Sequence, residues 1–487
     1  MYAGYGYLAG LTHGITEDTP MSRINTNIGS LQAITRLNKN QIDLQTHLTR
    51  LSSGLRINSG KDAPAGLIAS ETLRSEIAGL NQAISNSQRA SNVVNTAEGS
   101  LSEVSSLLLQ VQSLTNEAAN TGALSAEEIQ ANQLQVDSIL NSINRISNTT
   151  QFNGVKLLNG GLDYSTSNVA STAIDTLQIN AAKLPENGSI TITVNVTASA
   201  QLGTLTNAAS GIGASAVTIE IAGTQGTEQL SFAASTHNSA IVVAINQIKG
   251  STGVSATLSG AALKVTSAAF GAKEFVSVKT ISGSFFNGKD YGANAIVSVN
   301  GTQAEVDGTT ASVRTADLDV SFQLDSNFAQ QTALGSSFQI TGGGAKFQIG
   351  SEVTRQGQIQ IGIGSVSTTK LGDGVNGYLS SIGSGGGNSL VSGNTIAAQK
   401  ILSTSIRQVA NLRGRLGALQ KNVLDTNVSS LSVALENVTA SESDIRDADF
   451  ASETAALTRA QILVQANTSV LAQANSSPQQ VLSLLGR

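Results

Sequence analysis

SDIRDADFASETAALTRAQILVQANTSVLAQANSSPQQVLSLLGR, residues 443–487, is the stretch that decides the fold. Leu457, Val464 and Leu471 lie seven apart, as do Ala460, Asn467 and Ala474, and so do Leu463 and Val470. Such a heptad seam is one helix's half of a coiled coil. Its flanks are Ala, Gln, Ser and Thr rather than a full charged face. Nothing adjacent in sequence covers it. The matching stripe stands at the other end of the chain, at Leu44, Leu48, Leu51 and Leu55. The spacing predicts that the two ends pair and that the middle is inserted between them. A helical hairpin inside an ordinary globule is the alternative on the pattern alone.

A second seam precedes the terminal helix. Leu402, Val409, Leu416 and Val423 are spaced by seven; so are Ser405, Leu412, Leu419, Thr426 and Val433. This is the strongest periodic signal in the chain, and a break is expected at Ser441–Asp444. On the N-terminal side, Asn58, Ser59, Gly60, Asp62 and Pro64 end the first helix. Pro64 is tolerated in a first helical turn, and no Pro follows before Gly122. A helix of about 55 residues spans roughly 80 Å at 1.5 Å per residue, which suits a rod. Ser125 and Glu128 then form a capping box. Ile129, Val136, Ile139, Ile143 and Ile146 line the following helix, which closes at the turn Phe152-Asn153-Gly154.

From about Gly160 the period falls to two. Runs such as 189–194, 217–221, 263–265, 275–278, 295–299, 318–322 and 358–363 read as strands, with one helical interruption from Ser239 to Ile248. The loop GSGGGNS, 383–389, closes this regime. The fold class is therefore α+β: a long coiled-coil-like helical core formed by both chain ends, with a β-rich inserted outer region. The expected segments are a flexible extension (1–20), an inner-core helix (21–64), a helical rod segment (65–162), the β-rich outer region (163–385), a returning rod helix (386–441) and a terminal inner-core helix (442–487).

Composition narrows the function. Charged residues make up 13% of the 487 and aromatics 3%, with no Trp, so the large rings that anchor most enzyme cores are scarce. The net charge of −5, without a basic cluster, argues against nucleic acid. No apolar run of 18 residues occurs, so no membrane insertion is expected. There is no Cys, and His13, His47 and His237 are far apart, which excludes an H-E-x-x-H zinc motif. No phosphate loop occurs, and the glycines of 383–388 read as a linker. Asp444, Asp447 and Asp449 lack the spacing of a calcium loop and read as acids complementing a helix N-terminus. No cofactor, metal or catalytic residue is expected. Residues 1–20 lack a basic leader and a cleavage-like ending, so a secretory signal peptide is disfavoured, and Met21 is an alternative initiator.

The sequence resembles a bacterial flagellin. The resemblance lies in MSRINTNIGSLQAITRLNKNQ (21–41), LSSGLRINSGKDAPAGLIASETLRSEIAGLNQAISN (51–86), TTQFNGVKLLNG (149–160) and the terminal block 443–487. It covers 21 to about 160 and about 390 to 487. Residues 219–278 resemble a repeat module of the outer parts of some flagellins and hook-associated proteins. The resemblance implies a structural subunit that polymerises with copies of itself into the extracellular flagellar filament, for motility. It implies inner-tube terminal helices, a surrounding helical shell and an outward variable region. It also implies partners in the flagellar export apparatus, an export chaperone, and the hook-junction and cap proteins, with export through the flagellar pathway and no cleaved signal peptide. The hook–filament junction protein is the alternative within the same machine. A coiled-coil surface adhesin would need a secretory signal and an anchor.

The assembly seam expected from these readings comprises Leu44, Leu48, Leu51, Leu55, Leu402, Val409, Leu412, Leu416, Leu419, Val423, Leu457, Val464, Val470 and Leu471. One departure stands out. Flagellins recognised by host receptors of the Toll-like class resemble this chain from Glu103 to Asn120, with Arg at two positions and Glu at a third. Here these are Gln110, Gln112 and Ser113, and a further Arg position is Ile139, while Leu114 is kept. Weak or absent activation of that receptor is the expectation.

Overall fold

The computed structural model describes residues 26–185, 188–315, 317–332 and 335–485; the expected N-terminal extension, 1–20, lies outside them. The chain divides into two compact units. One is built from both ends, up to Ala78 and from Val433; the other comprises Gly79–Ser432.

Local chemistry sets the helix ends. Helix α1 (Ile28–Ser53) starts where Asn27 Oδ1 accepts from the Ser30 N–H, and stops at Gly54, whose φ of 72° is left-handed. Helix α2 (Pro64–Ala118) runs for 55 residues and begins at the proline, as the sequence suggests. Helix α3 (Ala126–Thr149) carries both bonds of the Ser125–Glu128 capping box. A two-residue hairpin follows, β1 (Gln151–Phe152) and β2 (Val155–Lys156). Asn153 and Gly154 both have positive φ, which a tight primed turn requires.

The β-rich region holds two bodies, each with its own core. The first begins with β3 (Tyr164–Ser167), β4 (Ile174–Ala182) and β5 (Ile190–Ala198). The chain then leaves to build the second, from β6 (Thr204–Asn207), β7 (Val217–Gly223), β8 (Gly226–Phe232), α4 (Asn238–Gln247), α5 (Lys249–Thr252), β9 (Val254–Ser259), β10 (Ala262–Ser267), β11 (Phe275–Ser282) and β12 (Gly288–Tyr291). Its sheets run β12-β11-β7-β8 and β6-β10-β9, around Ile219, Ile221, Ile241, Leu263 and Val276. This body leaves and re-enters at one point, because Gln201 and Ala293 exchange both backbone hydrogen bonds at 2.9 Å.

The first body resumes with β13 (Ile296–Val299), β14 (Thr302–Gln303), β15 (Glu305–Asp307), β16 (Thr310–Arg314), β17 (Leu318–Leu324), α6 (Ser326–Gln330) and β18 (Gly335–Gly343). Its antiparallel sheets, β14-β13-β5-β18-β3 and β15-β16-β17-β4, share one core containing Ile192, Val194, Val297, Val320, Phe322 and Phe338.

Strands β19 (Ala345–Gln348), β20 (Gln358–Ile361), β21 (Gly372–Asp373) and β22 (Gly377–Tyr378) lead back to helix α7 (Thr395–Leu419). The helical core of this unit packs Val94, Leu101 and Leu108 of α2 and Val136 and Ile143 of α3 against Leu402, Val409 and Leu416 of α7. Small apolar residues such as Ala90 and Ala97 let these helices approach closely.

Two expectations shift. The second seam does not run unbroken to Val433. Residues Gln420–Asp425 form a π-turn, whose extra residue rotates all that follows. Leu424 therefore enters the core while Thr426 and Val433 are exposed. Nor does the chain break at Ser441–Asp444. Helix α8 (Thr426–Arg446) continues through these serines, which are satisfied locally: Ser441 Oγ donates to Asn437 O inside the helix, and Ser443 Oγ to Asp447 Oδ2 just past its end. The break falls at 447–449, before α9 (Phe450–Leu485). Of the three acids, Asp449 acts at the α9 N-terminus, accepting from the Ala451 N–H at 2.9 Å.

Candidate assembly surface

The unit formed by the chain ends is organised by α1 and α9, which run antiparallel along the length of α1. Asn27 Nδ2 donates to Ala474 O at 2.7 Å, and Ser30 Oγ donates to Asn475 Oδ1 at 2.7 Å. Toward the other end, Glu453 Oε1 lies 3.0 Å from His47 Nδ1 and 3.5 Å from Arg50 Nη1. Past the end of α1, Leu55 bridges Asp447, and the Arg56 N–H donates to Arg446 O at 2.7 Å. Arg446 Nη1 reaches Glu71 at 3.1 Å, and Ser70 Oγ donates to Glu442 Oε1 at 3.0 Å, tying the start of α2 to the end of α8. The loop between α1 and α2 is pinned by Asp62. Its carboxylate accepts from the Ser59 hydroxyl and the Ser59 and Asn58 N–H groups, and these bonds hold its pKa below the usual value.

Between these polar ties the apolar contact is thin. Leu44, Leu51 and Leu55 of the first stripe and Leu457, Val464 and Leu471 of the last are all half-buried. Among the described side chains of the two helices, full burial is confined to Ala33 and Ala460, at 3% and 5% exposure. Leu48 and Val470 turn outward. They join Ile28, Leu31, Ile34 and Ile42 on α1, and Ile462 and Leu463 on α9, as exposed large apolar side chains.

The other expected seam residues are elsewhere. Leu402, Val409, Leu412, Leu416 and Leu419 are buried in the helical core of the second unit, and Val423 is half-buried against it. That seam is closed by α2 and α3 of its own chain. The positions of the departed receptor epitope are also in this unit: Gln110 and Ser113 are exposed, Gln112 is half-buried, and Ile139 packs against the helical core.

Sequence reading missed the His47–Glu453–Arg50 cluster. The signal was present as His47 and Arg50, three apart on the stripe side of α1, but nothing in the pattern supplied the acid 403 positions beyond Arg50. Among the described residues, no group of three His, Cys, Asp or Glu is placed to hold a metal, and no helix is long and apolar enough to cross a membrane.

The bacterial flagellin N-terminal helical region matches residues 24–162, and the C-terminal helical region matches 399–485. The flagellin of Salmonella rubislaw is 31% identical over 504 residues, covering 95% of this chain and 99% of its own. The chain belongs to the bacterial flagellin family. A B-type flagellin of Pseudomonas aeruginosa is also 31% identical, over 511 residues with the same coverage. Among solved structures, the flagellar junction protein FlgL from Legionella pneumophila covers 77% of this chain and 99% of its own, at 14% identity and a TM-score of 0.28. Family membership makes the chain a structural subunit that polymerises into the extracellular flagellar filament, and the near-full-length flagellin relatives favour this over a junction protein. The α1–α9 pair belongs to the two regions that the family models match.

Proposed function

We propose that the α1–α9 pair is the surface through which copies of this flagellin join. The observation that carries this is the outward apolar set, Ile28, Leu31, Ile34, Ile42 and Leu48 on one helix and Ile462, Leu463 and Val470 on the other. Exposed apolar side chains at this density mark a surface that a partner covers. The inward stripe, Leu44, Leu51, Leu55, Leu457, Val464 and Leu471, holds the pair, and Leu48 and Val470 reach the neighbour. Leu402, Val409, Leu412, Leu416, Leu419 and Val423 serve assembly by keeping the second unit rigid. Heterologous contacts of this kind propagate into a fibre and do not close.

In this reading 21–64 and 442–487 are inner-core segments, 65–162 and 386–441 rod segments, and 163–385 the outer region. The protein acts as a structural element and not as an enzyme. It reaches the cell exterior through the flagellar export apparatus with a chaperone, without a cleaved signal peptide, and meets the junction and cap proteins at the filament ends. The uncharged side chains at Gln110, Gln112, Ser113 and Ile139 support weak or absent Toll-like receptor activation. Each lost charge-assisted hydrogen bond is worth about 1.5–3 kcal/mol. Full potency in a reporter-cell assay would refute that part.

The test is the double variant Ile42→Asp, Ile462→Asp. Both residues are well exposed, at 65% and 63%. Monomers should melt as the unsubstituted chain does yet form no filaments under electron microscopy. Normal filament yield would overturn the assignment.

A further inference from the structure

Helix α7 makes one unusual polar contact with the first β body. Arg415 Nη2 donates to Gly362 O at 2.8 Å and to Asn180 O at 3.2 Å. These two carbonyls belong to different bodies. Asn180 is in β4 of the β body, where its Nδ2 donates to Asp319 Oδ1 of β17 at 2.8 Å. Gly362 follows β20 between Ile361 and Ile363, both buried in the helical core. The two segments already touch, since the Gly362 N–H donates to Asn180 O at 3.0 Å. Arg415 thus closes a three-membered set: one carbonyl shared by two donors, and a second carbonyl held by the same guanidinium nitrogen.

The approach is possible only because residue 362 is glycine. A Cβ there would meet Ile179 O at 2.7 Å and the Tyr164 ring at 2.9 Å. Tyr164 is itself fixed, its hydroxyl accepting from the Ala182 N–H at 2.8 Å. Beside the guanidinium lies a cavity of about 340 Å³ bordered by Asp163, Gln178, Ile179 and Gly362. The guanidinium is therefore not wedged by packing on that side. It is held by its two carbonyls; burial lowers its pKa, and the charges of Asp319 and Asp163 counter that only in part.

We infer that Arg415 is a positioning residue that pins the first β body to the helical core of the same unit, fixing the pose in which a subunit presents its outer region. An arginine suits this because it stays charged and can give two bonds from one nitrogen. Removing it takes away the tie from α7 and leaves a water-accessible cavity, with the Gly362–Asn180 backbone bond, the bond from the Leu184 N–H to Gln360 Oε1 and that from Arg355 Nη2 to the Lys183 carbonyl still crossing the joint, while the apolar core around Leu101 and Leu416 keeps its contacts.

The experiment is amide hydrogen exchange on the full-length monomer and its Arg415→Ala and Arg415→Lys variants, read by mass spectrometry. In Arg415→Ala, exchange at 178–184 and 358–364 should rise at least tenfold, while α2 around Leu101 and α7 around Leu416 stay unchanged. Arg415→Lys should be intermediate, because an ammonium can still reach a carbonyl. Equal exchange at the joint in all three proteins overturns the inference. So does a uniform rise that includes the helical core, or failure of both variants to fold, because either makes Arg415 a core residue and not a pin. The readout is on monomers, so it stands apart from the assembly assignment. Within filaments of Arg415→Ala, outer density should blur while the helical region stays sharp.

Discussion

Asn27 and Ala474 are joined by a hydrogen bond of 2.7 Å although 447 positions separate them. Asn27 also caps α1 through its Oδ1, so one side chain both starts the N-terminal helix and fastens it to the C-terminal one. The ends of this chain are thus aligned by polar contacts at the tip of a weakly buried apolar seam.

Asn27→Ala removes both contacts. Loss of a cap costs about 1 kcal/mol, and the same energy expressed in assembly is about fivefold in equilibrium constant. The monomer's helical signal should melt at a lower temperature, and the critical concentration for polymerisation, read by light scattering, should rise by about that factor.

Ala460→Leu tests a buried small residue of the helix pair. Overfilling a packed site costs about 1–3 kcal/mol, and Ala460 has 5% of its surface free. Sedimentation should show polymer lost at concentrations where the unsubstituted protein assembles. Ala466→Leu, at an exposed position of the same helix, should leave the monomer's melting temperature unchanged.

Glu453 serves two basic side chains, and its own side chain is 12% exposed. Glu453→Ala leaves His47 and Arg50 unpaired in a half-buried site where Arg50 Nε already lacks a partner. The expected loss is about 1–3 kcal/mol, measured by chemical denaturation, with Glu453→Gln losing less because its amide oxygen still accepts.

Asp137 gives the second unit an acid sensitivity. Burial raises its pKa, but hydrogen bonds from the Ser384 hydroxyl, the Ser384 N–H and Gln133 outweigh it, so the net shift is downward. A lowered folded-state pKa means stabilisation that is fully present above the unfolded value of about 3.9 and lost as pH falls through the folded one. The protection of the Ser384 amide, its exchange measured against the intrinsic rate at each pH, should fall on acidification below about pH 4, and Asp137→Asn should flatten that dependence.

Much of the helical architecture was legible because it rests on local rules. The proline at 64, the Ser125–Glu128 box and the 3.5-residue stripes each act within a few residues, and the helices begin and pack accordingly. Strands with clear alternation, such as 217–221 and 275–278, were legible for the same reason. Strands such as β8, β16 and β18 were not. Their polar or glycine-rich stretches become strands because a partner edge is available, as when Gly335–Ile340 pairs with Ile190–Asn195. The candidate surface was half legible: the stripes of α1 and α9 could be matched, but periodicity treats Leu48 and Leu51 alike.

The order of residues was enough to make both ends long helices with apolar stripes and the interior β-rich. Those properties follow from residue spacing, which fixes which side chains share a face. Tertiary structure alone decided which stripes are already covered. Leu402, Val409 and Leu416 face α2 and α3 of their own chain and are closed, whereas Ile42 and Ile462 lie outside the α1–α9 contact and stay open. A stripe records that something must cover it; only the placement of elements distant in sequence determines whether the same molecule does.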